Sequence, residues 1–153
     1  MVAVKGEVMI ARQPQEVFDF VANAENEPRY HPRMRVSKKV TDGPIGAGTS
    51  FRQQIMGRRR VIAMTTEFTE FDRPGRIAEM STWTGGTSTG EMTFEPVNGS
   101  TLMRWSWDVQ AQGVLRFLGP VVASLGRRQE RRIWNECKHL LEAESGVAGR
   151  RRT

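Results

Sequence analysis

Few side chains in this 153-residue chain combine a reactive type with a useful spacing. It holds two histidines, His31 and His139, and one cysteine, Cys137. His31 lies in the run Tyr30-His31-Pro32. An imidazole can act as acid or base near neutral pH, and a phenol beside it adds a second hydrogen-bonding group. Two amides sit on otherwise apolar stripes. Gln53 alternates with Phe51 and Ile55, and Gln129 falls between Leu125 and Ile133 at helical spacing. A buried amide needs partners, either from the protein or from a bound molecule.

Other patterns weigh less. Gly86-Thr87-Ser88-Thr89-Gly90 spells the nucleophile-elbow pattern GxSxG. An elbow needs a helix after it, whereas here a strand follows, so the run reads as a glycine-rich hairpin turn. The loop 43–48, GPIGAG, matches neither the dinucleotide nor the P-loop fingerprint. Two distant histidines and a lone cysteine make no metal-ligand cluster, and no metal or other cofactor is expected. Cys137 falls on an apolar helix stripe and reads as a small buried hydrophobe.

The elements that must position these groups follow from periodicity. Val2, Val4, Val8 and Ile10 alternate with Ala3, Lys5, Glu7 and Met9, which predicts a half-buried strand. Pro14 opens a helix, since proline suits the first helical position, with Val17, Phe18 and Val21 on one face. ENEPRYHPRM, with two prolines, allows a short helix and a turn. Six strands then follow, near 36–41, 49–56, 60–71, 76–83, 89–97 and 102–110. Apolar residues on both sides leave the facing of 76–83 ambiguous. Asn98-Gly99-Ser100 is the strongest hairpin signal. Met103, Trp105, Trp107 and Val109 share one face of the last strand, with Arg104 and Asp108 on the other, a surface face where these two could pair across one strand step. From Gly119-Pro120 a long helix runs to about Glu144, with Val122, Leu125, Gln129, Ile133, Cys137, Leu140 and Glu144 as its inner stripe, widened by Leu141. Consecutive strands with hairpin-length turns and segregated helices make the fold class α+β.

Composition narrows the partners. The chain has 23 Lys plus Arg against 17 Asp plus Glu, a net charge of +6, and 19 of the cations are Arg. Residues 1–125 hold 15 cations and 13 anions, while residues 126–153 hold 8 and 4, so most of the excess lies at the C-terminal end. A solvated helix face with a frayed tail accounts for it. A single cysteine allows no internal disulfide, no apolar run approaches a membrane span, and no signal-peptide pattern opens the chain, so the expected location is the cytoplasm. Nothing in the sequence sets the oligomeric state.

Four segments, in order, resemble the START/Bet v 1-like helix-grip superfamily, in its polyketide cyclase/dehydrase-like branch. They are ARQPQEVFDFVANAENEPRYHP, a strand end into a Pro-led helix and an aromatic followed by Pro; Gly46-Ala47-Gly48-Thr49; the turn TEFDRPGRIA; and the helix ending NECKHLLEA. The resemblance covers about residues 2–145. It implies a curved antiparallel sheet of six to seven strands around the C-terminal helix, with a cavity between them. On that reading residues 1–145 form a single domain and 146–153 a basic flexible tail. Tyr30 and His31 then fall at the cavity edge, where they are weak catalytic candidates. The plainer reading packs Tyr30 under the short helix and leaves His31 in solvent. The expected ligand-facing set is Phe51, Gln53, Met64, Phe68, Met92, Phe94, Trp105, Trp107, Leu125 and Gln129.

Three functions are open at this point. The first is binding of a small hydrophobic molecule, lipid-, polyketide- or isoprenoid-like, in the cavity. The second is a cyclase/dehydrase-type enzyme with an acid–base group in the same cavity. The third is an interaction module that uses the basic helix face and tail. There is no clear sign of nucleic-acid binding, because stacking needs exposed aromatics among the cations and only Trp134 lies beside a basic cluster.

Overall fold

The computed structural model describes the backbone of residues 1–150 and the side chains of residues 1–114 and 116–144. The expected order of elements holds. Strand β1 (Val2–Ile10) leads into α1 (Pro14–Ala22) and a short 3-10 turn (Ala24–Arg29). Six strands follow: β2 (Met34–Lys39), β3 (Ser50–Met56), β4 (Val61–Asp72), β5 (Arg76–Trp83), β6 (Gly86–Val97) and β7 (Ser100–Ala111). A second 3-10 turn (Gly113–Phe117) precedes α2 (Gly119–Arg150).

The seven strands form one antiparallel sheet in the order β1-β7-β6-β5-β4-β3-β2. The chain starts at one edge, and α1 with its following turn carries it to the other edge. From there it meanders back strand by strand until β7 pairs with β1. Pro14 stands at the start of α1, and the Glu16 carboxylate accepts from the Gln13 backbone N–H at 3.2 Å, so the helix start is capped. Between β6 and β7, Asn98 and Gly99 both take positive φ, the pair of conformations that a tight two-residue hairpin requires.

Alternation puts Val4, Val8 and Ile10 of β1, Phe51 and Gln53 of β3, and Met103, Trp105 and Trp107 of β7 on the inner face. A register shift between Phe68 and Glu70 moves β4 by one residue. Phe71 consequently reaches Phe18 at 5.1 Å between ring centroids, although the even-numbered residues before it face inward. Two glycines make room for the large rings of β7. A Cβ on Gly6 would sit 2.4 Å from the Trp105 ring, and one on Gly90 would sit 1.9 Å from the Ser106 carbonyl oxygen and 2.6 Å from the Trp107 ring.

Helix α2 has 32 residues, about 48 Å at 1.5 Å per residue. It lies along β1. Lys138 Nζ donates to the Met9 carbonyl at 2.7 Å, and the Glu142 carboxylate accepts from the Ala11 N–H at 2.9 Å. Periodicity predicts an end near Glu144, whereas the helix reaches Arg150. Of the basic tail expected over 146–153, residues 151–153 lie outside the described residues. No described helix is long and apolar enough to cross a membrane.

Three further expectations change. Gly86–Gly90 is strand rather than turn, so Ser88 lacks the strained strand-to-helix bend of a nucleophile elbow. Strand β5 is not ambiguous, because Phe68 of β4 pairs with Glu79, which places Ile77, Glu79, Ser81 and Trp83 on the inner face. Among the described residues Arg104 forms no ion pair with Asp108; it pairs at 3.0 Å with Glu7 of β1 and at 3.0 Å with Glu95 of β6.

Candidate functional site

The concave face of the sheet does not close fully on α2. A cavity of about 340 Å³ remains, walled by β3 to β7, the end of the first 3-10 turn and the inner side of α2. Most of its lining is apolar: Val21, Ile55, Ile62, Met64, Phe68, Met92, Val109 and Ile133, with Trp83, Trp107 and Trp134 as the large rings. The size and the apolar wall are those of a small-molecule site.

Its polar groups come in three sets. The first is a relay buried across four strands. Gln53 Nε2 donates to Ser37 Oγ at 3.1 Å, Thr66 Oγ1 donates to Gln53 Oε1 at 2.9 Å, and Thr66 and Ser81 hydroxyls lie 2.7 Å apart. Gln53 is thereby held by the protein itself, and burying it costs little.

The second set is three carboxyl groups. Glu27 comes from the first 3-10 turn, Glu79 from β5 and Glu130 from α2. Burial pushes Glu79 up to about 8, with the charges of Glu27 and Glu130 adding to the shift. Burial likewise pushes Glu27 up to about 7, against hydrogen bonding from Gln53 and together with the charge of Glu130. Glu130 is also raised by burial, opposed by the indole N–H groups of Trp107 and Trp134, which donate to its Oε2 at 3.0 and 2.9 Å. Those two bonds fix the Glu130 carboxyl against the cavity wall.

The third set is Tyr30 and His31. The Tyr30 ring lies between Phe20 and Trp134, each 5.8 Å away between centroids, and its hydroxyl is buried with no hydrogen-bond partner. Burial holds its pKa well above the usual phenol value, so it remains a donor. His31 is only 8% exposed and lines the cavity, which overturns the solvent-facing reading. Its Nδ1 accepts from the Arg33 backbone N–H at 3.2 Å, and burial together with the Arg33 charge pushes it down to about 4. At neutral pH the imidazole is uncharged.

Gln53, Met64, Phe68, Met92, Trp107 and Gln129 of the expected ligand-facing set do meet on this wall, with Tyr30 and His31. Gln129 is at the rim, where its Oε1 accepts from Arg33 Nη1 at 3.4 Å. Phe51, Phe94 and Trp105 are buried behind the wall instead. Phe51 packs on Phe68 at 5.4 Å, Phe94 on Phe18 at 5.2 Å, and Trp105 on Trp134 at 5.9 Å. Leu125 is a correction of a different kind, being 61% exposed and turned away from the cavity. The inner stripe of α2 is Val122, Gly126, Glu130, Ile133, Trp134, Cys137 and Leu141. Gly126 and Glu130 are not apolar, so an apolar count sets the stripe off phase, and Leu125 is about 100° round the helix from Gly126. Gly126 is small because the helix comes close to β1; a Cβ there would meet Val4 at 3.1 Å.

Sequence pattern does not single out the three glutamates. Glu130 sits in GRRQERR, which looks like a solvated face, and Glu27 sits in the polar run ENEPR. Glu79 had a usable signal, namely its alternation with Ile77, Ser81 and Trp83. Trp134 points inward, only 7% exposed, and so does not offer a ring for stacking beside the basic cluster. Cys137 is buried and its thiol is pushed up to about 12, in keeping with a packing role. Among the described residues no group of three or more His, Cys, Asp or Glu is arranged to hold a metal ion.

Comparison with known proteins gives a consistent picture. A family profile described as "Polyketide cyclase / dehydrase and lipid transport" matches residues 1–142. Among curated proteins, none matches significantly. Solved structures do. A protein of Thermus thermophilus superposes with a TM-score of 0.80 at 18% identity, covering 94% of this chain and 99% of that one. A START superfamily protein from Mycobacterium smegmatis gives 0.80 at 16% identity, covering 92% and 97%. The ZhuI aromatase/cyclase of Streptomyces sp. R1128 gives 0.64 at 17% identity, covering 99% and 95%. At such identities the likeness is one of fold, a curved sheet gripping a long helix.

Proposed function

Because the chain belongs to the polyketide cyclase/dehydrase and lipid transport family, we propose that it binds a small, largely apolar molecule in the cavity between the sheet and α2. The observation that carries this reading is the cavity itself, about 340 Å³ walled mainly by aliphatic and aromatic side chains. A core evolved only for stability closes to near-crystalline density and leaves no such volume. The lone buried thiol of Cys137 suits action in the cytoplasm, where thiols stay reduced.

The test is titration with N-phenyl-1-naphthylamine, an apolar fluorophore. Trp83, Trp107 and Trp134 line the cavity, so binding is read both from probe emission and from quenching of tryptophan. Saturable binding with one site per chain is expected. Met64→Trp fills the cavity and should abolish binding without lowering the melting temperature. Unchanged binding in that variant, or no saturable binding in the parent, removes the reading.

A second reading, cyclisation or dehydration of a polyketide-like substrate, is favoured by one observation. Glu27 and Glu79 titrate at about 7 and about 8 and share the cavity with the protonated Tyr30 hydroxyl. A carboxylate poised near neutrality suits removal of a proton next to a carbonyl, and a phenol suits donation to the enolate oxygen that results. On this reading Glu79→Gln and Tyr30→Phe lose turnover but keep affinity for the apolar fluorophore. Full turnover in both variants discards it.

A further inference from the structure

The cavity is acidic in a basic protein. Among the described residues its lining includes Glu27, Glu79 and Glu130 but no lysine or arginine, although the chain carries 23 of them. Eight carboxylates on the outer surface take cationic partners, among them Asp19 with Arg73 at 2.7 Å, Glu91 with Arg76 at 2.6 Å and Glu142 with Lys138 at 2.7 Å. Among the described residues Glu27, Glu79 and Glu130 have no such partner. A charged carboxyl held away from bulk water without a counter-charge is costly, and three in one cavity more so.

A second observation points the same way. Tyr30 lines this cavity and is only 4% exposed, and among the described residues its buried hydroxyl has no hydrogen-bond partner. Tyr30, Trp83, Trp107 and Trp134 also present ring systems to the cavity, and ring faces attract cations. Carboxyl groups, an unpartnered phenol and electron-rich rings together lack one thing, a positive charge.

We propose that the cavity selects an amphiphilic cation, an apolar molecule bearing one amine or quaternary ammonium group held among Glu27, Glu79 and the Tyr30 hydroxyl. This rests on the ligand-binding reading and names the class of ligand. The apolar body of the ligand lies against Met64, Phe68 and Met92. The positive group supplies the counter-charge that the protein omits.

The pH dependence follows from every titratable group facing the site. These are Glu27, Tyr30 and His31 at the end of the 3-10 turn, Glu79 on β5, and Glu130 and Cys137 on α2, with Arg33 beyond the rim. His31 is already neutral above about 4, and Cys137 holds its proton to about 12. Between pH 6 and 9 the carboxyls of Glu27 and Glu79 change charge. A cation of fixed charge therefore binds more tightly as pH rises through 7 to 8 and levels off above.

The experiment is calorimetric titration of the full chain with octyltrimethylammonium, 1-decanol and decanoate, all below their micelle concentrations. The quaternary ammonium does not titrate, so its pH dependence belongs to the protein. At pH 8.5 the cation should bind about tenfold tighter than decanol, with decanoate weakest, and its affinity should fall about tenfold at pH 6. Glu79→Gln should bring the ratio of cation to decanol affinity close to one at pH 8.5, and melting curves verify its folding. Equal affinity for the cation and decanol, or a preference for decanoate, overturns the proposal while the apolar-pocket reading stands. Failure of all three probes removes the pocket reading and this inference with it.

Discussion

The two sides of α2 differ in almost every physical respect. Its inner side brings Ile133, Trp134, Cys137 and Leu141 into the core and Glu130 to the cavity wall, where two indoles hold the carboxyl. Its outer side lines Arg127, Arg128, Arg131 and Arg132 along a shallow surface cleft with Ser124, Asn135, Glu136 and His139. None of the ion pairs among the described residues uses those four arginines. One run, GRRQERR, feeds both sides, with its glutamate inside and its arginines outside. A net charge counted along the chain therefore hides opposite signs separated by the width of one helix. Where a charge faces decides what it does: in water it is screened, and in the cavity it is screened little and its burial costs more.

The contrast can be broken by substitution. Trp134→Ala removes a ring that packs on Tyr30 and Trp105 and donates to Glu130, and should cost about 3–5 kcal/mol. Arg131→Ala and Arg132→Ala, its exposed neighbours, should stay within about 0.5 kcal/mol. Urea unfolding of the three variants decides; similar losses on both sides would erase the distinction.

A smaller effect comes from pH. The native carboxyls of Glu27 and Glu79 hold protons to about 7 and 8, whereas the unfolded chain releases them near 4.5. The folded state binds more protons in between, so these groups contribute most stability below 4.5 and lose it as pH rises, levelling off above about 8. His31, lowered to about 4 from 6.5, acts in the opposite sense but only below 6.5. From pH 6.5 to 8 the melting temperature of the empty protein should fall. Glu79→Gln should flatten that fall and melt about 2–4 °C higher at pH 8.5, the shift that ~1 kcal/mol produces in a domain of this size. Identical pH profiles for parent and variant would mean that Glu79 is solvated rather than buried.

The smallest effect on the fold belongs to the outer arginines. Replacing Arg127, Arg128, Arg131 and Arg132 together by Ala should leave fluorophore binding in the cavity within about twofold. Retention on a heparin column should drop, with a flatter salt dependence. A variant retained like the parent would show that this face engages no polyanion, which answers the interaction-module reading.

Much of the fold is legible in the order of residues. Alternation in β1 and β7, the proline at the start of α1 and Asn98-Gly99 between β6 and β7 each act over a few residues, so local pattern suffices. The wall residues Met64, Phe68, Met92 and Trp107 were legible for the same reason. Where structure and pattern differ, the cause is common. Leu125 looked like core because leucine usually is, and Glu130 looked like surface because it stands among arginines. Both readings used residue type where helix phase was decisive. Phe51, Phe94 and Trp105 were correctly placed inside, but alternation does not separate a cavity wall from the packing behind it.

The sequence by itself determined that seven strands and a long helix would segregate, because periodicity is written residue by residue. It also determined the excess of arginine and the single thiol. Only the tertiary structure decided that Glu27, Glu79 and Glu130, which are 52 and 51 residues apart in sequence, converge on one cavity. That convergence depends on the register of β4 against β5 and on the rotation of α2 about its axis. Both are set by packing of many residues at once, including the gaps left by Gly6, Gly90 and Gly126, and no short stretch of sequence carries them.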